Sequence, residues 1–157
     1  MNLAIDEDVL ETARKLGPLI RKDADEAERQ RRLSGPVVDT LVGAGMFRLF
    51  LPRSLGGLEA DPVTAARVIE EISTFDSAAG WAVMLNSNAF FACRLPKEGM
   101  EEIYGGSDPR NFAAASFNPP MTAAAVDGGY MLNRPRSPGE PGGGGFLAAR
   151  DGGGQGR

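Results

Sequence analysis

The chain has no histidine and a single cysteine among its 157 residues. Without imidazole, Ser-His-Asp and Cys-His nucleophilic mechanisms are excluded, because both need it as the general base. The lone thiol, Cys93, cannot form a disulfide within the chain, and so poor a donor set predicts no zinc site. We therefore assign no catalytic residue and no metal ligand from the sequence.

Long apolar runs are also scarce. The longest uncharged stretch, Ser77 to Cys93, covers 17 residues with Asn86, Ser87 and Asn88 inside it, so it is too short and too polar for a membrane span. The N-terminus lacks the residue order of a signal peptide. Net charge is −4, and removing the +2 carried by residues 134–157 leaves −6, which argues against a nucleic-acid surface. We expect a cytoplasmic protein without nucleic-acid or membrane partners.

Glycine and proline, in contrast, are concentrated at the C-terminal end. Residues 134–157 hold nine Gly and three Pro in 24 positions, with Phe146 and Leu147 as the large apolar side chains. So few apolar groups cannot offset chain entropy, and we predict a disordered tail. A phosphate loop is not favoured, because the glycines neither follow a strand nor open a helix.

Residues 1–110 have the apolar periodicity of a helical domain. A first helix is predicted from about Asp6 to Arg32, with a kink or break at Gly17-Pro18. Further helix starts are indicated by a cap followed by proline or by a capping carboxylate, at Ser34, Asp61 and Asp76, and by Pro96. Met46 to Leu51 is predicted to be extended.

The helix that follows Asp76 is apolar around most of its circumference, which predicts a place in the middle of a bundle. We expect Trp81 to be buried, at a cost of roughly 3–5 kcal/mol on truncation to alanine; its expected neighbours are Ile69, Ile72, Met84 and Leu85. Asn86, Ser87 and Asn88 need partners on such a helix. Exposure at a helix end, mutual hydrogen bonds and a ligand remain open as explanations.

Strands begin near residue 111. Phe112 to Phe117 and Met121 to Val126 are short apolar runs, and Asp127-Gly128-Gly129 is typical of a hairpin turn before Tyr130. Two or three strands cannot make a stable sheet without partners. We therefore divide the chain into a helical domain at 1–110, the first strands of an incomplete β domain at 111–133, and the tail.

These elements, in this order, resemble the acyl-CoA dehydrogenase superfamily. The resemblance is carried by motifs spread over about 130 residues: Asp23-Ala24-Asp25-Glu26, Leu41 to Arg48, Leu51-Pro52, Gly56-Gly57, Asp61-Pro62-Val63-Thr64, Glu70-Glu71-Ile72, Asp76 to Trp81, and Pro119 to Tyr130. The Gly80-Trp81 pair is similar to the branch that contains two-component flavin-dependent aromatic hydroxylases.

The resemblance implies a mostly α chain: an N-terminal helical bundle followed by the first strands of a β-barrel. It also implies a flavin, FAD or FMN, an acyl-CoA or aromatic substrate, and a homotetramer for complete family members. By position, Ser116 is implied as a flavin-proximal residue, and Trp81 and Asn88 as a wall of the substrate cavity. No catalytic base can be transferred, because the family takes it from the C-terminal bundle.

Two departures from the family pattern count against carrying the family's function over to this chain unchanged. Hydroxylases of this kind use histidines near the flavin, and this chain has none. After Leu132 the family continues with another strand, whereas Asn133-Arg134-Pro135 opens the tail, which we interpret as a shifted reading frame. A clean reading frame on resequencing, with no homologous second frame, would exclude that interpretation.

The first hypothesis for function is an N-terminal fragment of a flavin-dependent oxidoreductase, inactive alone and binding no cofactor alone. A fragment of an aromatic monooxygenase oxygenase component is one alternative. A small helical binding module that docks through the Trp81 helix is the other.

The composition of the tail generates one prediction. Limited proteolysis is expected to remove residues 134–157 first, because a segment without a core cannot protect its backbone. Mass spectrometry of the first products measures this. An earlier cut within residues 61–94 would contradict it.

Overall fold

The protein is described here by a computed structural model, which covers residues 5–87, 95–106, 108–111, 122–127 and 129–133. The chain separates into two compact units, Met1–Ala115 and Ser116–Arg157. The elements are α1 (Glu7–Gln30), α2 (Gly35–Gly43), 3₁₀ turns at Met46–Arg48 and Arg53–Leu55, α3 (Pro62–Phe75), α4 (Ser77–Asn86), α5 (Lys97–Tyr104), β1 (Thr122–Val126) and β2 (Gly129–Asn133). The predicted mostly helical fold is confirmed, while the domain boundary at residue 110 stays a prediction.

Four helices begin where the sequence places a capping side chain. Asp6, Ser34, Asp61 and Asp76 each accept a hydrogen bond from a backbone N–H in the first turn of the helix that follows. These bonds satisfy donors that have no partner inside the helix. None of the described helices has the length and apolar character that crossing a membrane requires.

Helix α1 continues through Pro18, so the predicted break is wrong, while the alternative of a kink stays a prediction. Proline leaves one carbonyl of the preceding turn without its helical donor, and α1 packs against the end of α3 at this point. The Phe75 ring lies against Gly17, where a Cβ atom would come within 2.6 Å of the ring. The Arg21 guanidinium lies 4.9 Å from the centre of the same ring, in cation–π geometry.

The core of the first unit lies among α1, α2, α3, α4 and the turn at Met46–Arg48. Its fully buried large side chains are aliphatic, as expected for the inner faces of amphipathic helices; they include Ile20, Val37, Leu41, Met46, Leu49, Val68, Ile72 and Val83. The predicted extended conformation of Met46 to Leu51 is wrong. The stretch begins as a 3₁₀ turn after Gly45, whose φ of 72° is left-handed, and the turn buries Met46, Phe47 and Leu49 together.

Helices α3 and α4 are joined by one residue, Asp76, whose backbone is extended. The first turn of α4 therefore meets the last turn of α3 at once. Gly80 lies against Ser73, where a Cβ atom would fall 1.9 Å from the Ser73 Oγ and 2.9 Å from its Cα. Glycine is required here because no side chain fits between the two backbones.

In the second unit, β1 and β2 form an antiparallel hairpin with Ala124 opposite Met131 and Ala125 opposite Tyr130. This confirms the predicted hairpin around Asp127. Val126, Tyr130 and Met131 are exposed. The predicted strand at 112–117 and the tail at 134–157 lie outside the described residues.

The contact at Gly80 predicts different effects for one substitution at two helical sites. Gly80→Ala is expected to lower the free energy of unfolding by about 1–3 kcal/mol, because the added methyl group overpacks the α3–α4 junction. Gly99→Ala in α5 is the matched control, since its Cβ would meet Leu95 at an ordinary 3.8 Å. The control is expected to be neutral or to stabilise by up to ~1 kcal/mol, through helix propensity. Urea unfolding followed by circular dichroism measures both, and equal effects would contradict the steric explanation.

Candidate functional site

Helix α4 has one packed face and one open face. Ala79, Gly80 and Val83 are buried against the core. On the opposite side, Ala78 and Trp81 are exposed and Leu85 is half-buried. Spacings of three and four residues place these three side chains along one line of the helix. The open face of α4 is therefore apolar and carries the only tryptophan of the chain.

The expected burial of Trp81 is wrong, since 61% of its surface is exposed. A helix without a polar stripe does not encode which side meets its neighbour. Gly80 decides this, because a side chain at that position would overlap Ser73 of α3. The bulky indole is thereby directed away from Ile72 and into solvent.

Two of the three polar residues at the end of α4 have partners within the protein. The Asn86 Nδ2 donates to the Ala82 carbonyl at 2.8 Å, and the buried Ser87 Oγ donates to the Met46 carbonyl at 2.9 Å. These bonds account for both side chains without a ligand. Asn88 lies outside the described residues.

An open groove of about 590 Å³ lies beside the open face of α4, between its first turn and the C-terminal end of α1. Its apolar part is contributed by Ala24, Ala27, Leu33 and Ala78, and its charges of both signs by Asp25, Glu28, Arg31, Arg32 and Asp76. Mixed exposed charges do not select a ligand of one sign. The groove instead adds accessible surface beside Trp81, which lies one turn further along α4.

Arg48 is a functional candidate that sequence reasoning missed. Only 7% of the residue is exposed, and its guanidinium donates to three backbone carbonyls: those of Leu55 at 3.4 Å, Asp108 at 2.9 Å and Asn111 at 2.9 Å. Its Nε has no hydrogen-bond partner in the described part of the chain. The available signal was a single cation inside the apolar run from Met46 to Leu51.

The carboxylate of Asp61 has a shifted pKa and a structural role. Hydrogen bonds from the Thr64 hydroxyl and backbone lower the pKa of Asp61, which caps α3. Thr64 also accepts a bond from the Asp6 backbone, which ties the start of α1 to the start of α3. Stabilisation from Asp61 is complete above the ordinary aspartate pKa and is lost as pH falls through the lowered pKa. No cluster of three potential metal-ligating side chains occurs among the described residues.

Of the predicted site residues, the structure describes Trp81 alone. Its exposed position is compatible with a cavity wall, but that role stays a prediction. Asn88 and Ser116 lie outside the described residues, so their predicted proximity to substrate and flavin stays a prediction too.

The family model for the acyl-CoA dehydrogenase N-terminal domain matches residues 6–104. This match spans the five helices and both 3₁₀ turns. The chain belongs to the acyl-CoA dehydrogenase family through this domain.

Among curated proteins, the chain is 38% identical over 108 residues to an indole-3-acetate monooxygenase of Pseudomonas putida, covering 69% of this chain and 28% of that protein. It is 29% identical over 128 residues to the flavin-dependent monooxygenase oxygenase subunit HsaA of Mycobacterium tuberculosis, covering 81% and 32%. The chain thus spans about a third of the length of these relatives.

Solved structures agree with this relationship. The crystal structure of the HsaA monooxygenase from M. tuberculosis matches with a TM-score of 0.75 and 28% identity, over 83% of this chain and 36% of that one. XiaF from Streptomyces sp., solved in complex with FADH2 and glycerol, also matches with a TM-score of 0.75 and 28% identity, over 80% and 32%.

The open face of α4 predicts a small energetic role for Trp81 in the isolated chain. Trp81→Ala is expected to change the free energy of unfolding by no more than about 0.5 kcal/mol, as for other exposed positions. Ile72→Ala, at a fully buried position in α3, is expected to lower it by about 2–5 kcal/mol.

The same tryptophan can be observed directly, because the chain has only one. Its emission is expected to be red-shifted and readily quenched by acrylamide. A blue-shifted, protected emission would contradict the exposed position.

Proposed function

We propose that this chain is the N-terminal helical part of the oxygenase component of a two-component flavin-dependent monooxygenase. The open apolar face of α4, with Trp81 at its centre, carries the proposal. The relatives of this chain among curated proteins include monooxygenases, and a structural neighbour was solved in complex with FADH2. The monooxygenase alternative is therefore favoured over the acyl-CoA dehydrogenase and the helical binding module.

In this proposal the open face of α4 forms one wall of an aromatic substrate cavity. Ala78, Trp81 and Leu85 present a flat apolar surface without a charged side chain. Aromatic rings bind to such surfaces by stacking or edge contacts, which contribute about 0.5–1.5 kcal/mol beyond area burial. Asn88, seven residues after Trp81, is proposed to add a polar contact to the same cavity.

The described residues fit only part of a flavin site. An isoalloxazine ring needs surfaces on both faces and polar groups at its edge, within a concave, pre-formed cavity. The described side chains supply one apolar surface, and Asn86 and Ser87 already bond within the protein. We propose that Ser116 contacts the flavin, FAD or reduced FMN. Further contacts are proposed to come from segments equivalent to the part of the relatives that this chain does not span.

The remaining proposals follow from the same family relationship. The complete enzyme is proposed to act in the cytoplasm as a homotetramer. We also propose that the enzyme has no nucleic-acid partner. The net charge supports this, because the tail carries +2 of the total of −4 and the rest of the chain therefore carries −6.

A chimera tests the proposed function. Residues 1–133 of this chain would replace the corresponding N-terminal part of the P. putida indole-3-acetate monooxygenase. The chimera is expected to oxygenate indole-3-acetate in the presence of reduced flavin. Trp81→Ala in the chimera is expected to raise KM about tenfold, equivalent to ~1.4 kcal/mol, with a smaller change in kcat.

Arg67→Ala is the matched control, because Arg67 is exposed on α3 and pairs with Glu70. It is expected to leave both kinetic constants unchanged. A folded chimera without flavin-dependent activity would overturn the proposal, and an unchanged KM in Trp81→Ala would remove Trp81 from the cavity.

The chain alone is expected to bind no flavin at micromolar concentration, since it supplies one wall of the site. Titration calorimetry with FAD and with FMN measures this. Saturable micromolar binding that weakens in Ser116→Ala would show that the site is complete within these 157 residues.

A further inference from the structure

One side chain connects two parts of the first unit that are far apart in sequence. The Arg48 Nη2 donates to the carbonyls of Asp108 and Asn111, 60 and 63 residues away, both at 2.9 Å. The Arg48 Nη1 donates to the carbonyl of Leu55, the last residue of the second 3₁₀ turn. The Arg48 guanidinium therefore binds the turn at 108–111 to the segment 48–58. An exposed ion pair between Arg110 and Asp39 links the same turn to α2 at the surface, where such pairs contribute little.

The loop that holds Arg48 is itself closed by backbone bonds. The Arg48 carbonyl accepts from Leu58 N–H at 3.1 Å, and the Leu49 carbonyl accepts from Ala60 N–H at 2.8 Å. Backbone hydrogen bonds therefore fix the segment that carries the Arg48 side chain. At the other end, Asn111 N–H donates to the Asp108 carbonyl at 3.2 Å, so both carbonyls that Arg48 binds belong to one compact turn.

Helix α5, which precedes this turn, has its own attachment. The buried Tyr104 packs with Leu51, and Leu55 and Met100 contact the same small cluster. This apolar contact ends at residue 104, before the turn begins. Arg48 and Tyr104 consequently attach different parts of the chain, and loss of one contact leaves the other in place.

The chemistry of the contact is specific to arginine. A planar guanidinium presents several donors in a fixed arrangement, whereas a lysine ammonium is a single point charge. A buried cation must also keep its hydrogen bonds, because an unpaired buried charge is strongly destabilising. The hydrogen bonds to the three carbonyls therefore fix both the guanidinium and the backbone groups that it contacts.

We propose that Arg48 is a positioning residue, which holds the turn at 108–111 in the place from which the chain continues, in sequence, toward Ser116. The inference rests on the proposed function only in giving Ser116 a role at the flavin. Holding the turn is a property of the helical unit, and it can be tested in the chain without any cofactor.

Hydrogen–deuterium exchange of the complete chain tests the proposal. Arg48→Lys is expected to accelerate amide exchange at residues 108–111 at least tenfold. The lysine side chain is one bond shorter than arginine, and its single nitrogen cannot replace both the Nη1 bond to Leu55 and the Nη2 bonds to Asp108 and Asn111. Exchange in α1, α3 and α5 is expected to stay unchanged, because Tyr104 still attaches α5. Arg67→Lys, a change at an exposed ion pair, is the matched control and is expected to alter no segment.

Three outcomes would overturn the proposal: unaltered exchange at 108–111 in Arg48→Lys, absence of protection there in the unchanged protein, or acceleration spread evenly over α1 and α3. The last result would assign Arg48 a general role in stability. None of these measurements depends on flavin, so failure of the proposed function leaves them interpretable.

A measurement on the unchanged protein covers the case in which Arg48→Lys fails to fold. Nitrogen-15 NMR of the arginine side chains, assigned through the backbone, is expected to show slow rotation and slow proton exchange for the Arg48 Nη groups. Averaged, rapidly exchanging signals like those of exposed Arg67 would overturn the proposal.

Discussion

The contact between Gly80 and Ser73 is the constraint on which the arrangement of the helical unit depends. Because a single residue joins α3 and α4, the direction of α4 is determined within its first turn. The missing side chain at Gly80 lets the two backbones meet. Ala79 and Val83 then complete the core, and Trp81 is left on the outside. A structural requirement for a small residue thus creates the exposed aromatic surface to which we assign the function.

Arg48 is the polar counterpart of this packing contact. Buried cations are often neutralised by carboxylates, but removing either partner of such a pair is strongly destabilising. Here the guanidinium is surrounded by carbonyl dipoles from Leu55, Asp108 and Asn111 instead. Backbone acceptors remain when side chains are substituted, so the contact depends on the identity of one residue only. The Arg48 contact thus positions the turn at 108–111, which contributes little apolar surface of its own.

The exposed apolar surfaces fit the proposed place of this chain within a longer enzyme. Contiguous exposed apolar groups mark interaction sites more often than they mark plain surface. Trp81 on α4 forms one such surface in the first unit, and Tyr130 and Met131 form another in the second. The chain spans about a third of its relatives' length, and the longer proteins have additional structure available to cover equivalent surfaces. Stability in the isolated chain and function in a complete enzyme therefore place different demands on the same side chains.

Local signals were enough to predict where the helices begin. Asp61 and Asp76 cap their helices because a carboxylate beside free N–H groups is favourable in almost any context, and the turn at Asp127 likewise depends on neighbouring residues alone. The family resemblance, which rests on the order of such motifs, was correct for the same reason. Tertiary structure decided the rest. It kept α1 continuous at Pro18, turned the apolar run at Met46 into a 3₁₀ turn, bound Ser87 to Met46, and buried Arg48 while exposing Trp81. Each of these outcomes depends on contacts between residues distant in sequence, whose energies no local pattern contains.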